Sequence, residues 1–120
     1  MKRDMDLIRD LLIRIEGSPH KPSWKELAAT NDDVETERIL NHLELIEDAG
    51  FTKSTVVRMQ RFRLPHDIEL TWEGHGFLGD VREPDIWRKT KERAKGVAGV
   101  GLAFVWEIAK AEIRLKLGLP

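Results

Sequence analysis

The chain has 120 residues, 41% of them hydrophobic and 34% charged, a composition that indicates a folded globular domain and excludes a disordered chain. Its 20 basic and 21 acidic residues nearly cancel, so any affinity for nucleic acid must come from local patches. The absence of cysteine excludes disulfides, thiolate metal sites and cysteine nucleophiles. We expect one domain over 1–120, with a core in 1–82 and C-terminal helices in 84–118.

The sequence offers no candidate for a membrane segment. Charges interrupt the apolar pattern of Met1–Asp10, which predicts neither a signal peptide nor a membrane anchor. The most apolar stretch, Val97–Ile108, is too short to span a bilayer. Together with the lack of cysteine, these features predict a cytoplasmic protein.

Two helices are predicted before residue 30. Apolar residues at three- and four-residue steps predict the first over Asp4–Glu16, and Gly17–Pro19 ends it, with Gly17 as a residue just past the helix. Ser23 is a predicted N-cap, because Glu26 stands three residues later as in a capping box. The short helix that follows is predicted over Trp24–Ala29.

The longest helix is predicted over Val34–Gly50. Its apolar residues recur at helical spacing: Ile39, Leu40, Leu43 and Ile46. Gly50 suits a left-handed position at the helix end, and Phe51 is the apolar residue that commonly packs behind such an end. A short helix, a polar turn and a longer helix are the order of a helix-turn-helix.

A β-hairpin is predicted next, with strands over Thr52–Arg58 and His66–Trp72 and a turn over Met59–Pro65. Alternation in the second strand predicts one buried face, formed by Ile68, Leu70 and Trp72. The hairpin would be a wing. The predicted fold class is therefore α+β and mostly helical: a winged helix-turn-helix with a two-stranded β-hairpin wing and additional C-terminal helices.

Three further helices are predicted. Thr71 caps a short one, and Pro84 begins another that ends at about Lys95. The last follows a glycine-rich stretch, Gly96–Gly101, and runs to about Leu117. It carries two apolar stripes: Val100, Phe104, Ile108, Ala111 and Leu115, and then Leu102, Val105, Trp106, Ala109 and Ile113.

The segment Leu70–Leu78 (LTWEGHGFL) resembles a known family when it is taken with four other stretches: Met1–Arg9, Asn41-His42-Leu43, Trp87 and Lys116–Leu119. The chain resembles an uncharacterised bacterial and phage family, domain of unknown function twenty-five thirteen. The resemblance implies a small winged-helix-like protein of prophage-like genes and implies no activity. The glycine-rich stretch departs from the family pattern.

Two hypotheses for the function remain open, and the leading one is a non-enzymatic regulatory or DNA-associated accessory protein that acts as a homodimer. From Phe51 to Pro65 there are four basic residues and no acid, which would allow weak binding of double-stranded DNA through phosphate contacts. The candidate nucleic-acid-binding residues are Lys53, Arg58, Arg61 and Arg63 of the hairpin and Arg38 and Asn41 of the long helix. Alternatively, the hairpin cations protect an edge strand from aggregation.

The long helix argues against base reading. Residues 31–50 contain seven carboxylates and one arginine, and the face predicted to point outward holds Glu37, Asn41, Glu44 and Asp48. Carboxylates directed at a groove lined by phosphates would be repelled. Only Asn41, which can pair with adenine, suits base recognition.

The second hypothesis is protein association or dimerisation without nucleic acid. The last helix is more apolar than one small domain needs, and its candidate interface residues are Phe104, Trp106, Ile108, Ile113 and Leu117. The alternative use of this surface is to close the core against the first helix.

Catalysis is not expected, and neither is a cofactor or a metal. The four histidines lack metal-ligand spacing, and no nucleophile elbow or phosphate-binding loop is present. His42 is predicted to be a hydrogen-bonded, partly buried residue. The four tryptophans lie on the apolar faces of different elements, which favours core anchoring over stacking on bases.

Overall fold

The predicted helices and hairpin are present in the expected order. A computed structural model describes residues 2–96 and 101–120, so part of the glycine-rich stretch lies outside the described residues. The elements are α1 (Met5–Gly17), α2 (Trp24–Ala28), α3 (Asp33–Asp48), β1 (Thr52–Met59), β2 (Phe62–Leu70), α4 (Trp72–Val81), α5 (Pro84–Lys95) and α6 (Leu102–Lys116). The domain is α+β and mostly helical, with an antiparallel two-stranded hairpin.

Local capping chemistry sets several of the helix ends, as predicted. The Glu26 carboxylate accepts a hydrogen bond from the Ser23 N–H at 3.4 Å, and the Thr71 hydroxyl accepts one from the Gly74 N–H at 3.0 Å. Gly17, by contrast, is the last residue of α1 and not the residue after it.

The end of α3 has the predicted left-handed glycine. Gly50 has φ of 83°, and the N–H of Phe51 donates to the Ile46 carbonyl at 3.1 Å. The Gly50 N–H donates to the Glu47 carbonyl at 2.9 Å, which completes a Schellman motif. Phe51 then turns into the core, where it is 2% exposed.

The turn of the hairpin is shorter than predicted. Met59 pairs with Phe62, so Gln60 and Arg61 alone connect the strands, and the predicted turn over Met59–Pro65 is wrong. Gln60 adopts the left-handed φ of 54° that such a tight connection needs. Pro65 lies inside β2, where proline is tolerated because each strand of a two-stranded sheet has one edge without a strand partner.

Trp72 does not belong to the buried face of the second strand. Ile68 and Leu70 are buried as predicted, but β2 ends at Leu70. Trp72 is the first residue of α4, and it is 89% exposed. The strand alternation therefore stops where the Thr71 cap begins a helix, and the predicted burial of Trp72 is wrong.

The core lies between α1, α3, the hairpin base and the C-terminal helices. Ile8, Leu11 and Leu12 of α1 are fully buried in it. The rings of Phe51 and Phe77 stack with centroids 4.6 Å apart. The segment before α2 joins the hairpin, because the Pro22 carbonyl accepts a hydrogen bond from Ile68 N–H at 2.9 Å. None of the helices described here has both the length and the apolar character to cross a membrane.

Candidate interaction surfaces

The most basic part of the hairpin lies against the acidic helix α3. Arg63 of β2 forms an ion pair with the carboxylate of Glu47, and their side chains are only 18% and 20% exposed. The Ser54 hydroxyl of β1 donates a second hydrogen bond to Glu47 at 2.5 Å. One candidate DNA-binding cation is therefore held inside the domain.

Two other hairpin cations also have acidic neighbours. Arg61 Nη2 lies 3.9 Å from Glu37 Oε2 of α3, and Lys53 Nζ lies 3.2 Å from Glu69 Oε1 of β2. Lys21 also pairs with Glu69, and the hydrogen bonds from Lys21 and Lys53 hold the pKa of Glu69 below its ordinary value. Both Lys53 and Arg61 remain largely exposed.

Arg58 differs from these cations. Its side chain is exposed, and within residues 2–96 and 101–120 it takes part in no ion pair. It lies with Asn41, Glu44 and Arg61 around a groove between the hairpin and α3. The groove therefore combines cations of the hairpin with carboxylates of α3, and its charge is mixed.

Arg38 and His42 join α3 to the start of α1. Arg38 pairs with the Asp4 carboxylate, the N-cap of α1, and with Glu35 at 3.0 Å. His42 is fully buried: Nε2 accepts a hydrogen bond from the Asp4 N–H at 2.9 Å, and Nδ1 faces the Arg38 carbonyl at 2.8 Å. These partners require a neutral imidazole protonated on Nδ1. His42 is thus more deeply buried than the sequence predicted.

The candidate interface residues on α6 separate into two groups. Trp106 packs edge-on against Phe51 and Phe77, with centroids 5.7 and 6.2 Å away, and its Nε1 donates to Asp80 Oδ2 at 2.7 Å. Ile113 also packs against the core. The structure therefore places these two on the inner side of α6, beside the buried Leu102, Val105 and Ala109.

The opposite side of α6 carries apolar residues that solvent reaches. Phe104 is 54% exposed and Leu115 is 60% exposed, with the half-buried Ile108 and the exposed Ala111 between them. We call these four residues the outer stripe. Leu117, which follows the last residue of α6, is also exposed.

Two polar anchors of the C-terminal helices were not predicted from the sequence. Glu112 is 5% exposed and pairs with Arg93 of α5. Asp6 of α1 accepts hydrogen bonds from Lys91 Nζ at 2.8 Å and from Trp87 Nε1 at 2.9 Å, which lower its pKa. Glu112 follows Ala109 by three residues, which places it on the buried face of α6. Helical spacing in the sequence could therefore have predicted its burial.

Metal binding finds no support among the side chains described here, since no three histidine or carboxylate side chains come together as a ligand set. His20 lies on the surface and bonds to Glu26 at 2.7 Å, which lowers the pKa of that carboxyl.

These features define a small, mostly helical α+β domain with an acidic helix packed against a basic hairpin. The chain belongs to the hypothetical protein family DUF2513, whose family model matches residues 2–101, and the predicted resemblance is confirmed. It is similar to an uncharacterised protein of Haemophilus influenzae, at 31% identity over 97 residues, covering 79% of this chain and 80% of that protein. No solved structure matches the chain.

Proposed function

We propose that the chain is a winged-helix domain that works as a non-enzymatic module for protein association and does not read DNA bases. The order of three helices followed by a hairpin supports the winged-helix assignment. The hydrogen bond between Pro22 and Ile68 supports it further, since it joins the segment before α2 to the hairpin.

The ion pair between Glu47 and Arg63 is the observation that carries the preference for protein association. In this pair each charge is neutralised by the other, so Arg63 is not free to contact phosphate. Glu44 and Asp48 of α3 are exposed, so a phosphate backbone approaching this helix would meet carboxylates. Nucleic-acid binding at this face would therefore have to overcome repulsion.

The outer stripe of α6 supports a protein partner. Exposed apolar residues at successive turns of one helix are more typical of an interface than of a free surface. In this function α3 and the hairpin serve as the structural scaffold, and α6 contacts the partner protein.

Phosphate contact by the hairpin is the second candidate function, and the exposed side chain of Arg58 supports it. Arg58, together with the largely exposed Arg61 and Lys53, would bind duplex DNA weakly and without sequence preference. Such binding would depend strongly on salt, because it would come from the release of counterions.

Fluorescence anisotropy of a labelled random DNA duplex, titrated with the full chain at low and moderate salt, separates the two candidates. We expect no saturable binding by the wild-type chain. A Glu37→Gln/Glu44→Gln variant should acquire salt-sensitive binding if these carboxylates repel phosphate. Asp10→Asn/Glu92→Gln, with the same change in net charge, is the control on the exposed surfaces of α1 and α5.

Saturable wild-type binding that weakens by orders of magnitude with salt, and that Arg58→Ala/Arg61→Ala abolishes, would overturn the proposal. It would establish phosphate contact by the hairpin as the function of this surface.

A further inference from the structure

We infer that the partner of the outer stripe is a second copy of this chain, bound with the two α6 helices antiparallel across a two-fold axis. The inference rests on the proposed function, because it names the partner of the surface assigned there to protein contact. Its physical basis is the spacing of the stripe and the charges beside it.

The outer stripe has the spacing of a helix-pairing seam. Phe104, Ile108, Ala111 and Leu115 follow one another at steps of four, three and four residues, which is the alternation of a and d positions in a heptad. The buried residues of α6 point elsewhere around the helix, toward α4 and α5. The seam is therefore available without disturbing the fold of the monomer.

The flanking charges favour the antiparallel arrangement. Glu107 and Arg114 lie seven residues apart on the same flank of the seam, opposite the side where Glu112 is buried. An antiparallel pair about the middle of α6 brings Glu107 of one copy beside Arg114 of the other, twice by symmetry. A parallel pair would bring Glu107 toward Glu112 of the other copy, and like charges would repel.

Neither Glu107 nor Arg114 is held by a contact with the core of its own copy. Glu107 meets Lys110 at 3.2 Å, where both side chains are on the surface, and Arg114 donates only to the carbonyl of Pro120, at 3.3 Å, within the described part of the chain. Both can turn toward a second copy at small cost.

The seam is short, which limits its strength. Four residues per copy, spread over three helical turns, cover less than the roughly 800 Å² per partner of a standard interface. We therefore expect a reversible dimer with a dissociation constant of about 1–100 μM.

Sedimentation velocity of the full chain over a concentration series tests the inference. Ala111 lies near the proposed two-fold axis and is exposed, so Ala111→Glu should raise the dissociation constant at least about tenfold without unfolding the monomer. Ala103→Glu is the matched control, because Ala103 is also exposed on α6 but lies off the seam; it should leave the constant within about twofold.

Reversing the charges of Glu107 and Arg114 tests whether they pair between the two copies. Glu107→Arg should weaken the dimer by placing two arginines together, and Glu107→Arg/Arg114→Glu should restore it. Because the chain has no cysteine, single substitutions also report orientation. Under oxidation by dissolved oxygen, a mixture of Phe104→Cys and Leu115→Cys chains should form the mixed disulfide in an antiparallel pair, whereas a parallel pair gives each variant's own disulfide.

A wild-type chain that stays monomeric at several hundred micromolar would overturn the inference, as would equal effects of Ala111→Glu and Ala103→Glu. If that chain also fails to bind DNA, association with a different protein still stands. DNA binding by a monomer would overturn both proposals, so the two failures are distinguishable.

Discussion

Gly74 of α4 lies against the backbone of Phe51, so closely that a Cβ atom on Gly74 would overlap the Phe51 carbonyl oxygen. The same carbonyl accepts a hydrogen bond from the Thr71 N–H at 3.0 Å, which holds the start of α4 on the end of α3. The missing side chain at residue 74 is therefore what lets α4 begin directly after the hairpin.

Gly74→Ala should lower the free energy of unfolding by about 1–3 kcal/mol, because the added methyl group must push the two backbones apart. Gly79→Ala in the same helix is the control: nothing lies within 4 Å of its added Cβ. It should raise stability by about 0.5–1 kcal/mol through the better helix propensity of alanine. Urea unfolding followed by circular dichroism measures both, and equal effects would contradict the close approach.

His42→Leu should lower the free energy of unfolding by about 1–3 kcal/mol, since it removes the fully buried acceptor of the Asp4 N–H. His75→Leu, at an exposed histidine of α4, should change it by less than about 0.5 kcal/mol. Amide hydrogen exchange should show that protection is lost at the start of α1. Uniform loss of protection over the whole chain would instead indicate a cavity effect.

Arg63→Ala should destabilise the domain by about 1–2 kcal/mol, because it leaves the largely buried Glu47 carboxylate without its cation. Arg58→Ala removes an exposed cation of the same hairpin and should change stability by less than about 0.5 kcal/mol. Thermal unfolding compares the melting temperatures of the two variants. The attachment of the hairpin to α3 is not electrostatic if both variants melt together.

Asp6 should make the domain sensitive to acid. The hydrogen bonds from Lys91 and then Trp87 lower its pKa in the folded state below the ordinary value of 3.8. The unfolded chain therefore takes up this proton first, and the stability from Asp6, present above pH 3.8, is lost as the pH falls toward the lower folded value.

Asp6→Asn should accordingly be less stable than the wild type at pH 7 and should lose less stability between pH 5 and about pH 3. Lys91→Met should flatten the same part of the curve, because it removes the main cause of the shift. Chemical unfolding at a series of pH values gives the comparison. Parallel curves for Asp6→Asn and the wild type would contradict a role for Asp6.

Much of the fold follows from short-range sequence rules. The capping box at Ser23, the left-handed Gly50 with Phe51 behind it, and the Thr71 cap all depend on residues within five positions of one another. Such rules also explain why the predicted burial of Trp72 is wrong. Trp72 continues the alternation of a strand and also follows a cap, and only the packing of α4 on Phe51 decides which pattern applies.

The charges of the hairpin illustrate what sequence patterns could not supply. The four cations after Phe51 and the acids of α3 are both evident in the sequence, yet their pairing depends on how the hairpin folds back onto α3. A cation counted as available for phosphate, such as Arg63, is then found in an ion pair with Glu47. Ion pairs between distant segments leave no periodic signal along the chain.

The sequence by itself determined the helices, the hairpin and the two apolar stripes of the last helix, because capping and periodicity act within a few residues. The tertiary structure alone decided which stripe is buried, through the packing of Trp106 on Phe51 and Phe77. It also decided that Arg58 stays exposed while Arg63 does not. Burial and charge pairing depend on contacts between segments far apart in the chain, which no local pattern specifies.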